Sequence, residues 1–318
     1  MNLDHPVLSS LLPVVLLILI GFVAGRAKLV RGESVRDLSN LVFLVLTQAL
    51  LFRTMSSVRI EQLDFKPVAQ YFLVAGALFV TMLWLYGRNS RASVLALASI
   101  FSNTLMIGVP LIGLAYGQEG QVLLFTLISL HALVLLSAAT LVLELQVASE
   151  DAALSGKRRA VWRTVASAVR NAIVHPVPLP ILVGLVYAQT GWGLHPVVDR
   201  PLALLGSAFG PIALVLVGIT LSQTPIGKQF MSALKLSVVK TVVHPALMLA
   251  VGWLLGLRGL HLAVMTVAAA LPIGANVFLF SQRYRKEEEA VTAGVAVSTA
   301  MAVASVTAVM AVLPLMPS

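Results

Sequence analysis

Cysteine is absent, and with it disulfide bridges, thiolate metal sites and cysteine nucleophiles. Charge is scarce: Asp, Glu, Lys and Arg make up 11% of the 318 residues, against roughly 25% in soluble globular chains. Acidic residues are scarcer still, 13 against 22 Lys and Arg. No polar stretch is long enough for a separate water-soluble domain. There is no H-E-x-x-H zinc signature, no G-x-S-x-G nucleophile elbow and no pair of carboxylates inside an apolar run. A membrane-embedded enzyme is therefore a remote reading, and the sequence offers no catalytic residue, cofactor or metal-ligand set.

What is present is grease. Hydrophobic residues make up 58% of the chain, and the mean hydropathy is +0.95. Such a chain cannot cover itself with water-compatible groups and must be solvated by lipid. A membrane span takes about 20 apolar helical residues. The sequence carries ten such runs, at about 6–25, 36–56, 68–87, 92–117, 120–148, 171–190, 200–223, 231–256, 260–282 and 288–315. They do not alternate in polarity as barrel strands do, and lipid offers an open backbone no partners. The expected fold class is an all-α polytopic membrane protein of about ten helices.

The formal net charge of +9 would suggest nucleic acid in a soluble chain. Here the basic residues sit in loops, and nucleic acid is not an expected partner. One set of loops holds 17 of the 22 Lys and Arg. Arg53, Arg59, Lys66, Arg200 and Arg258 fall on the other side. The positive-inside rule then puts both termini outside the cytoplasm. Met1 to His5 lack a basic n-region, whereas Arg26, Lys28 and Arg31 follow the first run, so that run reads as a retained helix. The most polar connection, 149–170, contains Lys157-Arg158-Arg159 and falls after the fifth run. Five helices on each side give a first repeat over 1–148, a cytoplasmic basic linker over 149–170 and a second, inverted repeat over 171–318, a common plan in secondary transporters.

Two runs are interrupted. The fourth reads Phe101-Ser102-Asn103-Thr104-Leu105-Met106-Ile107-Gly108-Val109-Pro110, and the ninth Leu271-Pro272-Ile273-Gly274-Ala275-Asn276. Proline removes a backbone donor and clashes with the preceding turn, and glycine permits unusual angles. Either run alone reads as a proline kink. Corresponding breaks in both halves point to a binding site, because half-helix amino ends suit an anionic group. Asn103 and Asn276 can donate or accept there.

The stretch from Ala98 to Leu111 resembles the fourth-helix motif of the auxin efflux carrier family, which holds the plant PIN-type carriers and bacterial relatives. Leu271 to Phe278 resembles the ninth-helix motif. Phe280-Ser281-Gln282-Arg283-Tyr284, Arg170-Asn171 and Gly210-Pro211 fit as well. The resemblance implies a bile-acid-symporter-like fold. Helices one, two, six and seven would form a scaffold and homodimer contact. The rest would be a transport domain moving like an elevator, with helices four and nine crossing at their breaks around an organic anion. Relatives often carry Pro late in the second helix, where this chain has Thr47-Gln48-Ala49. The short 149–170 connection matches a bacterial-type carrier of the inner membrane, and bacterial relatives include proteins assigned to malonate or similar carboxylates.

Of the 13 acidic residues, Glu144 alone sits well within a run, and it lies near a cytoplasmic end. Carboxylate-based coupling to sodium or protons is disfavoured, although backbone carbonyls could bind sodium. Lys240 shares a face with His244, four residues on, and Pro245 follows. It reads as an anion-attracting or gating charge, or as a snorkelling lysine. His131, mid-way along the fifth run, reads as a substrate or proton contact, or as an interhelical hydrogen bond. The expected function is secondary transport of a small organic anion, with an anion channel or an ion-coupled symporter or antiporter as the alternative. The candidate substrate-binding residues are Ser102, Asn103, Thr104, Gly108, Pro110, Pro272, Gly274, Asn276, His131 and Lys240.

Overall fold

The computed structural model describes residues 6–155, 177–224 and 227–316. The basic run Lys157–Arg159, Arg163, Arg170-Asn171 and the start of the sixth run lie outside the described residues. Among the described residues thirteen α-helices follow one another. They are α1 Pro6–Arg26, α2 Gly32–Leu41, α3 Thr47–Met55, α4 Lys66–Leu85, α5 Ser90–Ile100, α6 Val109–Ser155 and α7 Pro178–Gln189. Then come α8 Pro196–Gln223, α9 Phe230–Val238, α10 His244–Leu254, α11 Gly259–Ala270, α12 Ala275–Tyr284 and α13 Glu288–Val312.

Six helical stretches are long and apolar enough to cross a membrane. Four shorter apolar helices accompany them: Leu11–Arg26, Ser90–Ile100, Pro178–Gln189 and Gly259–Ala270. This is a multi-pass membrane protein. Large apolar side chains such as Leu16, Ile20, Val80, Trp84, Leu204 and Leu254 point outward, which lipid tolerates and water would not.

Two stretches that run as single rods contain a π turn. The turn Val42–Leu46 joins α2 to α3, and Val239–Val243 joins α9 to α10. A π turn shifts the hydrogen-bond ladder by one residue and frees carbonyls. At the first, Thr47 Oγ1 donates to the Val42 carbonyl at 2.8 Å. At the second, Pro245 has no N–H for the Thr241 carbonyl one turn back, and Ser305 from α13 donates to it instead.

The helix α6 is broken at Gly117, whose φ of 62° and ψ of −155° are not helical. Its carboxyl-terminal part continues to Ser155, seven residues beyond the 148 expected as the end of the fifth run. In this added stretch the Glu150 carboxylate accepts from the Ser90 N–H at 2.8 Å and from Ser90 Oγ at 3.0 Å. A carboxylate at the amino end of α5 meets the positive end of that helix.

The helices pack in two groups. One is α1, α2–α3, α7 and α8. The other gathers α4, α5, α9–α10, α11, α12 and α13, with the second part of α6. Within the first group α1 and α8 approach backbone to backbone. A Cβ on Gly21 would lie 2.0 Å from the Val215 carbonyl oxygen, and one on Gly218 would lie 2.0 Å from that of Ile18. Small residues permit this approach where no hydrophobic effect drives helices together. Gly218→Val should therefore lower the melting temperature of the detergent-solubilised protein by several degrees. Gly76→Val, where nothing lies within 4 Å of the new Cβ, should leave it within about one degree.

Candidate functional site

The ninth run opens at its own proline and glycine, over 271–274, whereas the fourth opens at 101–103, ahead of Gly108 and Pro110, which lie in helical backbone. The two openings meet. Helix α5 ends at Ile100, and Phe101 is extended (φ −81°, ψ 109°). Helix α11 ends at Ala270, and Leu271 is extended in turn (φ −59°, ψ 153°). Ser102 and Ile273 then form an antiparallel bridge. The Asn103 N–H donates to the Pro272 carbonyl at 2.9 Å, and the Gly274 N–H to the Phe101 carbonyl at 3.0 Å. The Ile273 N–H finds Ser298 Oγ of α13 at 3.0 Å. Glycine is required at 274, because a Cβ there would sit 2.8 Å from the Phe101 ring and 3.0 Å from the Ser102 carbonyl oxygen.

Past the crossing both chains become helical again. A π turn, Thr104–Gly108, leads into α6, and its amino end is capped by Asn103, whose Oδ1 accepts from the Met106 N–H at 3.3 Å. The amino end of α12 has no side-chain cap. Both amino ends line one cavity of about 60 Å³, together with Ser102, Asn103, Thr104, Gly274, Asn276 and His131. Helix amino ends carry roughly half a positive charge each, with N–H groups free to donate.

Behind the crossing lies Lys240, which is fully buried and so does not snorkel. Its Nζ donates to the Ala269 carbonyl at 2.6 Å and to the Leu271 carbonyl at 2.7 Å. A broken helix leaves its last carbonyls without partners and its end negative, and an ammonium answers both needs.

Of the residues expected from sequence, Ser102, Asn103, Thr104, Gly274, Asn276 and His131 share the cavity lining. Pro272 supplies the carbonyl that Asn103 binds. Gly108 lies under Leu271, whose methyl would be 2.8 Å from a Cβ. Pro110 faces a second cavity, of about 490 Å³, between α1, α3, α6 and α8. Lys240 touches the crossing through backbone carbonyls and is not among the lining residues.

Sequence reasoning missed three participants. Tyr71 of α4 is fully buried, and its hydroxyl lies 3.0 Å from Ser102 Oγ and 3.4 Å from His131 Nε2. Ser298 holds the Ile273 N–H. Arg53 of α3 pairs with Asp199 of α8, Nε to Oδ1 at 2.7 Å. Arg53 lines the 490 Å³ cavity and a neighbouring one of about 380 Å³.

A family model described as membrane transport protein matches residues 6–310. The chain is 24% identical to auxin efflux carrier component 8 of Arabidopsis thaliana, over 92% of this chain and 93% of that protein. It is 25% identical to a Rhizobium meliloti (strain 1021) protein provisionally named a malonate transporter, over 93% and 92%. It is 23% identical to the uncharacterized transporter YfdV of Escherichia coli (strain K12), over 92% of each.

Ser298→Ala should orphan the buried Ile273 N–H and destabilise the fold by about 1–3 kcal/mol. Denaturant unfolding in detergent micelles measures the change.

Proposed function

We propose that this chain, which belongs to the membrane transport protein family that includes auxin efflux carriers, is a secondary carrier of a small organic anion. The crossing of two broken helices carries this reading, because it turns two helix amino ends and the side chains of Asn103 and Asn276 toward one cavity. That arrangement offers hydrogen-bond donors and partial positive charge and no carboxylate, which fits an anionic guest. A carboxylate is the substrate class, and malonate-like or auxin-like acids are the candidates.

In this reading the four interrupted or shorter apolar helices complete ten spans. They form inverted repeats over 1–148 and 171–318, joined by the basic connection 149–170. Both termini face away from the cytoplasm, and the membrane is the bacterial inner membrane. The two packing groups support a division of labour. α1, α2–α3, α7 and α8 are a scaffold and homodimer surface, and the other group carries the crossing past it, as an elevator. The cavity at the crossing is small, about 60 Å³, with room for a few waters. The cavities beside Pro110 and Arg53 are larger, at about 490 and 380 Å³, and fit an approach route from the non-cytoplasmic side.

The test is counterflow of labelled malonate and indole-3-acetate in proteoliposomes. A carrier gives saturable exchange. Conductance that does not saturate supports a channel on the same fold, and absence of both sinks the assignment. Asn103→Asp should keep the cap on the Met106 N–H, fold and reach the membrane, yet reduce carboxylate exchange at least tenfold by placing a like charge in the cavity. Undiminished exchange would remove Asn103 from the site.

A further inference from the structure

His131 belongs to a buried polar cluster larger than an anion site needs. Its ring is only 2% exposed but lines the crossing cavity. Phe101 of the first break lies against it, with ring centroids 4.4 Å apart. From α4, the Tyr71 hydroxyl stands between His131 Nε2 at 3.4 Å and Ser102 Oγ at 3.0 Å. From α10 comes His244, whose ring is 5.5 Å from that of Tyr71. His244 is fully buried, and among the described residues neither of its ring nitrogens has a partner. Lys240, one turn before His244, gives two of its three donors to carbonyls. The one buried carboxylate among the described residues, Glu144, is thirteen residues along α6 from His131, about 20 Å at 1.5 Å per residue.

On the carrier reading above, we propose that His131 takes up one proton when a carboxylate enters the cavity, so that anion and proton cross together. A carboxylate leaving water needs donors and compensating charge. Lys240 lies behind α11 and gives two of its three donors to carbonyls there. Among the described residues that line the cavity, His131 is the titratable one. The hydrogen-bond chain gives the uptake a structural output. With a neutral ring, Nε2 can accept from the Tyr71 hydroxyl. With a proton from the entry-side solution on Nε2, the ring donates to Tyr71, and the Tyr71 hydroxyl turns to donate to Ser102 Oγ. Ser102 is then left to donate its own hydrogen into the cavity. No heavy atom moves and no covalent bond changes besides the N–H formed. The proton thus presents one more donor to the anion that brought it. The site couples to protons without an intramembrane carboxylate.

The test uses the purified full-length protein in lipid nanodiscs, in weakly buffered solution with a pH indicator. Malonate and indole-3-acetate are the probes, both ionised between pH 7 and 8. The wild type should take up about one proton per carboxylate bound, and its affinity should weaken about tenfold from pH 7 to pH 8. His131→Gln should bind, at whatever affinity, with no proton uptake and no pH dependence. His244→Gln should keep the proton count. If His131→Gln does not fold, the wild-type pH dependence still decides. Binding without proton uptake in the wild type, uptake retained in His131→Gln, or uptake lost in His244→Gln would each overturn the inference while leaving the carrier intact. Failure of both acids to bind or exchange would overturn the carrier reading and this one together.

Discussion

A backbone that stops being helical inside an apolar environment must find other partners for its N–H and C=O groups, because lipid supplies none. The crossing is the solution this chain adopts, and much of the interior is arranged around it. Each break satisfies part of the other through the Ser102–Ile273 bridge. What the bridge leaves over is met from three further directions. Ser298 of α13 takes the Ile273 N–H, Asn103 caps the turn that follows it, and Lys240 covers the carbonyls at the end of α11. The amino end of α12 is left uncapped, on the cavity side. The same economy that satisfies the two breaks leaves the amino end of α12 open to the cavity.

The break in the ninth run is legible because proline and glycine act locally, and Pro272 and Gly274 stand within it. In the fourth run Gly108 and Pro110 lie in the helical backbone beyond the break, and the residue that marks it is Asn103, the cap of the turn that follows. The meeting of the two breaks was an expectation drawn from a family resemblance, since nothing local tells one break where the other lies. Tyr71 is passed over in the sequence because one phenol at the fourth position of an apolar run looks like core. Its meaning comes only from Ser102 and His131, 31 and 60 residues away in sequence. The Arg53–Asp199 pair spans 146 residues, and Arg53 read from sequence was simply a charge at a helix end. The π turns have no sequence signature of their own. Thr47, noted only as a departure from proline, turned out to satisfy the carbonyl that such a turn frees.

Lys240 has a structural role that its place in the sequence does not announce. A lysine within an apolar run reads as either functional or snorkelling. Its full burial removes the second option, and its contacts give it a structural duty at a helix terminus before any contact with a ligand. Its charge still reaches the cavity as a field, which is the long-range part of an interaction in a medium of low dielectric.

The glycine contact between α1 and α8 has a mechanical consequence. Two helices locked main chain against main chain, with Val215 and Ile18 carbonyls filling the notches at Gly21 and Gly218, cannot slip by a turn without collision, so they shift only as a rigid rail. The seam between Pro110 and Gly210 is of another kind. Proline meets a residue without a side chain, a Cβ on Gly210 would be 3.3 Å from the Pro110 ring, and the 490 Å³ cavity opens alongside. That seam has no ridges to interlock, so nothing there keys one helix to the other as the glycine notches key α1 to α8.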